Sequence, residues 1–368
     1  MPTLTIKRDW LALIVAFLIS GSIFYGYYFF TKGTKLDIVY KNWDGPSYLL
    51  AAISMYDPQI AYTNNFINSG DIRPDWTWLP AHFPLYPIFI RTFSFLGGFQ
   101  AMLLVSVSFT LLSYLALYEL IKTLKITKSP LAVTLPFIFL SPRWFTVSHV
   151  GGSESMFMFF VIMFLQYLSI KDHLKAAIFI ALAQATRPHA AFFVLGMAII
   201  ALADLWRTHN LRNVIKSYYP YLLSPLAILL TFTLYKIQTG NFWAFFDAIS
   251  LTKNLQSIPF KTFSFPSPNI ETFWQEVNAY DYVLYLGACL LMFRKKLWQF
   301  GILGLIYFIP LIYLQHSDIS RYAIPLLPFA FIAYSEVIEK REFTWATLLM
   351  SPAIMLYAIN FMDHNHGA

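Results

Sequence analysis

Apolar residues run along this chain in blocks, most of them about twenty residues long and several shorter, separated by polar stretches. A helix needs roughly 17–25 apolar residues to cross a bilayer, so blocks of this length read as transmembrane helices. The first covers residues 10–30, behind Lys7 and Arg8. It has the charge-then-apolar layout of a signal peptide, but its length and the lack of a small-residue cleavage site mark a retained first span. Further blocks cover approximately 97–121, 129–146, 155–170, 173–187, 188–206, 217–236, 280–293, 297–314, 322–339 and 343–361. The pattern predicts an all-α integral membrane protein of about 11 transmembrane helices, within a range of 9–12.

Two long loops interrupt the blocks, at 31–98 and 238–279. In the first, "DGPSYLLAAISMY" repeats apolar residues at three- and four-residue spacing, which predicts an interfacial helix opening at Asp44 with Pro46 in its first turn. Further on, "WTWLPAHFPLYPIFIRTF" is dense in proline and aromatic residues. The prolines argue against one straight span, and the aromatics favour the headgroup level. No repeat, low-complexity tract or linker divides the sequence, so 1–368 reads as a single membrane domain.

Composition agrees. The chain is 58% hydrophobic and 12% charged, against about 25% charged in ordinary soluble domains. A net charge of +7 needs no nucleic-acid partner, because cytoplasmic loops collect Lys and Arg. With the N-terminus in the cytoplasm, the alternating inner loops hold clusters such as Lys122, Lys125 and Lys128, or Arg294, Lys295 and Lys296. The single cysteine, Cys289, rules out an internal disulfide.

Under that threading, Asp44, Asp71, Asp75, His82, Glu154, Arg187, His189, His316, Asp318 and Arg321 all fall on the outer side or at its membrane edge. Charges at span ends are costly and tend to mark function. Acids, histidines and two arginines at the mouth of an apolar chamber point to chemistry on an anionic, lipid-linked substrate. Each residue also has a plainer explanation. Asp44 reads equally as a helix cap, and Ser153 with Glu154 as complements to a helix dipole. Asp71 and Asp75 read as solvated loop residues, and His82 as a partner for carbonyls left unpaired near prolines. Arg187 and Arg321 read as snorkelling cations. No HExxH, CxxC, acidic triplet, Walker loop or GxGxxG occurs. A metal site and a cofactor are therefore not expected, and the sequence indicates no divalent cation.

Four segments, in order, resemble the GPI mannosyltransferase II (PIG-V-type) family of membrane glycosyltransferases. They are "WDGPSYLLAA", "AHFPLYPIFIR", "GGSESMFMFF" and "AQATRPHAAFFVLG"; the later "SRYAIPLLPF" is similar to an Arg-Tyr…Pro element of multi-span enzymes of the GT-C architecture. The resemblance is best over about 40–200 and thin over 207–315. Pro188-His189 stands where the eukaryotic enzymes carry small polar residues, and the chain is short for one of them. A prokaryotic relative acting on a lipid- or protein-linked glycan is the expectation.

The resemblance implies a transferase moving a sugar, with mannose expected, from a polyprenyl-phosphate donor to a lipid- or glycan-linked acceptor at the non-cytoplasmic face, with inversion. Asp44 would be the general base. Trp43, His82, Glu154, Arg187, His189, Arg321 and Tyr322 would bind substrates, with the arginines on the departing phosphate. The expected setting is a prokaryotic plasma membrane, or the ER with a lumenal site. Apolar surroundings would tune the Asp44 carboxyl. Two other readings remain open: a flippase or exporter for lipid-linked sugars, and a non-catalytic membrane subunit.

Overall fold

The computed structural model of the chain describes residues 8–31, 36–63, 76–252, 254–264, 272–316 and 318–364. Asp71 and Asp75 lie outside the described residues. The described residues are mainly helical, and among them the β pairing is a lone bridge between Leu255 and Leu314.

Each apolar block of the sequence is helical or mostly so. Among the described residues, five helices are long and apolar enough to cross a membrane: Arg8–Thr31, Gly98–Leu124, Ala190–Thr208, Leu211–Thr239 and Arg341–Asp363. Pro130–Ile138 and Pro142–Ser148 make a sixth if the pair, bent by 72°, is one span. The bend has a local cause. Pro142 stands in the first turn of a new helix, and the Ser141 hydroxyl caps that helix by accepting the Trp144 N–H. Shorter apolar helices occupy Glu154–Ser169, His173–Thr186, Trp298–Leu311 and Ile319–Ala333.

Burial separates the helices into inner and outer sets. Gly98–Leu124 and Glu154–Ser169 pack together at the centre with His173–Thr186 alongside. Arg8–Thr31 and Arg341–His364 lie at the periphery, where Ile19, Phe29 and Leu349 point outward. Exposed apolar side chains on long helices are what a lipid-facing surface requires. Cys289 serves packing: the Trp298–Leu311 helix approaches it at Gly304, where a methyl group would meet the Cys289 sulfur at 2.7 Å.

Hydroxyl groups join the two central helices and fix the segment between them. Thr110 bonds to the Ser155 hydroxyl at 2.7 Å and to the Ser148 carbonyl at 3.0 Å. The Ser106 hydroxyl donates to the Gly152 carbonyl and accepts from the Tyr86 phenol or the Gly152 N–H. Such bonds matter where no water competes for the polar groups. They hold the Gly151–Gly152–Ser153–Glu154 segment in place, and Glu154 heads the site.

Candidate active site

The site begins with the backbone at Trp43–Asp44–Gly45. Trp43 has φ +46, a conformation that costs a bulky residue energy and persists only where its surroundings demand it. A side chain at Gly45 would collide with the Tyr40 carbonyl oxygen, so glycine is required there. Between them Asp44 takes the N-cap position of the Gly45–Ser54 helix, yet its side chain makes no capping bond. The carboxylate is directed elsewhere: Oδ2 accepts from Arg321 Nη2 at 2.7 Å, and Oδ1 lies 3.7 Å from His82 Nε2. Capping does not account for this aspartate.

Arg321 comes from the far end of the chain. It stands in the short Ile319–Ala323 helix, whose N-cap Asp318 accepts the Arg321 N–H. Its guanidinium also reaches Glu154 Oε1, through Nη2 at 2.6 Å and Nε at 2.7 Å. Arg187, in extended backbone just after the His173–Thr186 helix, holds the same oxygen at 2.7 Å and the Ser153 hydroxyl at 3.2 Å. The Ser153 hydroxyl is also within 2.5 Å of the Tyr48 phenol, and it caps nothing. Two carboxylates and two guanidinium groups therefore form one continuous network drawn from four distant parts of the sequence. The arginines are not snorkelling to a surface.

His82 is buried beside Asp44, edge-on to the Tyr48 ring at 4.7 Å, with Nδ1 3.3 Å from the Trp78 carbonyl. Its plain reading, contact with a carbonyl, is thus met by one nitrogen while the other faces the carboxylate. His189 stacks obliquely on Tyr322 at 5.8 Å, and Tyr322 meets the His316 ring at 5.1 Å. His316 Nδ1 accepts the Asp318 N–H at 2.9 Å.

Burial by itself would raise the Asp44 carboxyl, but the Arg321 guanidinium and then His82 outweigh it and hold the group well below the usual carboxylate range. The apolar surroundings expected to tune this carboxyl do act on it, and desolvation is the largest single influence. Arg321 and His82 together outweigh it, so the net direction is down. Burial also pushes the His316 imidazole down, against the opposing pull of Asp318.

A cavity of about 1860 Å³ opens over the network, and Trp43, Asp44, His82, Arg187, His189, Arg321 and Tyr322 all line it. Phe192, Phe245, Ile249, Leu311 and Leu314 supply apolar wall. Glu154 sits behind the arginines, in a small void of about 10 Å³ shared with His189 and Tyr322, close to the size of one water. The site can therefore hold an anion at two guanidinium groups and take up a proton at a carboxylate. Among the described residues no group of three or more His, Cys, Asp or Glu is placed to hold a metal ion.

Sequence reasoning passed over Arg143 and Tyr48, and considered Ser153 only as a helix-end residue. Arg143 pairs with Asp318 at 2.9 Å and lies 3.9 Å from the centre of the Phe361 ring and 5.7 Å from that of Trp43. The signal was an arginine inside an apolar block, at 129–146, where a charge needs a reason. Compared with family models and with curated proteins, the chain matches none.

Proposed function

We propose that this protein is a membrane glycosyltransferase of the GT-C type. It would move a sugar, mannose by its resemblance to the GPI mannosyltransferase II family, from a polyprenyl-phosphate donor to a lipid- or glycan-linked acceptor. The observation that carries this reading is the Asp44–Arg321–Glu154–Arg187 network at the edge of a large, partly apolar cavity. A guanidinium forks onto phosphate oxygens and keeps its charge, and the apolar wall suits a prenyl chain. In the proposed topology the eleven apolar blocks each cross the membrane, the N-terminus is cytoplasmic, and the site faces the other side.

The geometry suggests how the parts act. The acceptor oxygen attacks the anomeric carbon from the face opposite the phosphate, so the configuration inverts. The bond from that carbon to the phosphate oxygen breaks, its electron pair stays on the phosphate, and the acceptor proton passes to Asp44. Arg187 and Arg321 hold the charge that develops on the leaving group. Arg321 has a second role. When the donor phosphate draws it away from Asp44, the carboxylate loses the cation that depresses its basicity and becomes a better base. Glu154 keeps both guanidinium groups in place while the cavity is empty.

Purified protein in detergent, supplied with polyprenyl-phosphate-mannose and a panel of lipid and glycan acceptors, tests this. Asp44→Asn is expected to slow transfer by about 10²–10⁴-fold, the usual contribution of a positioned base, while still binding polyprenyl phosphate. Equal transfer by both proteins would remove Asp44 from the chemistry. No consumption of donor by the wild type would favour a flippase or a non-catalytic subunit.

A further inference from the structure

The contacts around Asp44 form one connected chain. Arg187 holds Glu154, Glu154 holds Arg321, and Arg321 holds Asp44. The Arg321 guanidinium also lies 5.0 Å from the centre of the Trp43 ring. Beyond Trp43 the contacts reach Phe361, whose ring centre is 5.3 Å from that of the indole, and then Arg143. Along this chain of contacts, Asp44 and its neighbour Trp43 come between the paired arginines and the C-terminal end of the Arg341–His364 helix. Tyr357, Asn360 and Phe361 share one face of that helix by their three- and four-residue spacing. All three line the large cavity.

The two ends differ in the number of cations they hold. At the first, two guanidinium groups converge on one oxygen of Glu154. At the second, Arg143 is matched by Asp318 and faced by Phe361. A further carboxylate, Asp281, accepts from Ser320 on the Asp318 side of the fold. That end therefore offers aromatic faces, an amide and a phenol without surplus positive charge. Such a surface suits an uncharged sugar, whose C–H face packs on aromatic rings and whose hydroxyls meet polar tips.

We propose that the C-terminal end of the Arg341–His364 helix, with Trp43, is the acceptor subsite, and that the group it binds is an uncharged sugar rather than a phosphate. This rests on the transferase reading. In-line displacement requires the attacking hydroxyl and the departing phosphate on opposite sides of the reacting carbon, with the base at the acceptor's side. Asp44 comes between the two ends in the chain of contacts. Trp43 then contacts the acceptor, and Tyr357 and Asn360 select it.

Full-length protein in detergent would be titrated with methyl α-mannoside and, separately, with a polyprenyl monophosphate. Wild type would be compared with the double variant Tyr357→Phe, Asn360→Ala. Asn360 is exposed and Tyr357 half-buried, and polyprenyl phosphate binding reports that the variant is folded. The variant is expected to bind the mannoside at least about tenfold more weakly, from two lost hydrogen bonds, with polyprenyl phosphate affinity unchanged. Unchanged mannoside affinity, no mannoside binding by wild type, or equal weakening of both ligands would each overturn the proposal. So would preference for methyl α-mannoside 6-phosphate over the uncharged glycoside. If wild type binds the mannoside but no polyprenyl phosphate, the transferase reading fails and the acceptor role falls with it, while the sugar contact stands.

Discussion

Asp44 and Glu154 share one guanidinium, and that sharing governs how the site responds to pH and to substitution. The folded carboxyl of Asp44 is held below its unfolded value. Its contribution to stability is therefore complete above the unfolded carboxylate pKa of about 3.9 and declines as pH falls towards the folded value. The melting temperature of Asp44→Asn should lie below wild type at neutral pH, and the gap should narrow below about pH 4. A gap independent of pH would mean that the carboxylate is not paired in solution. Arg321→Lys tests the shared contact differently. An ammonium presents a point charge where the guanidinium reaches both carboxylates at once, so donor KM should rise and transfer should fall by about tenfold or more, a loss of ~1.4 kcal/mol. The acidic and basic residues of this site were legible in the sequence because a charge beside an apolar block stands out. Their pairing was not, since residues 44, 154, 187 and 321 carry no local sign of one another.

At the scale of elements, short segments aim the long side chains. Gly45→Ala would press a methyl group against the Tyr40 carbonyl. Overpacking of this kind costs about 1–3 kcal/mol, and the melting temperature should drop while the displaced Asp44 loses transfer activity. Normal stability and turnover in that variant would show that the loop has slack. Arg143 and Asp318 form a second aiming device: Asp318 caps the helix that bears Arg321 and pairs with Arg143, which also contacts Trp43. Arg143→Ala should destabilise by about 3–5 kcal/mol, since it leaves a largely buried carboxylate unpaired. Adding Asp318→Ala should then cost less than it does alone, because the residues act as a unit; additive losses would contradict the coupling. The opening of the Gly45–Ser54 helix at Asp44 was readable from "WDGPSYLL". The idle capping position was not, because a free carboxylate would cap and Arg321, with His82 beside it, diverts this one.

For the whole molecule, the proposed threading makes a direct statement about accessibility. The single native cysteine is buried, so introduced thiols report cleanly. In intact cells a membrane-impermeant thiol reagent should label Trp243→Cys, in the second long loop. It should label Lys125→Cys only after permeabilisation. Labelling of both in intact cells, or of neither, would break the alternation on which the placement of the site depends. The cavity belongs to this scale too, since its walls come from the first long loop, from the segments after His173–Thr186 and Trp298–Leu311, and from the last helix.

The sequence by itself determined the class of fold, because twenty-residue apolar blocks with basic flanks leave helices in a membrane as the economical solution, and hydropathy is a property of each segment alone. It also pointed to most of the polar residues to suspect, since a charge among apolar neighbours is visible without coordinates, although Arg143 carried that signal and was passed over. Only the tertiary structure decided that Arg321 lies between Asp44 and Glu154, that Arg143 belongs to the same region, and that the last helix closes the far side of the cavity. Those are contacts between segments more than a hundred residues apart, set by how apolar faces pack, and packing leaves no periodic trace in a single chain.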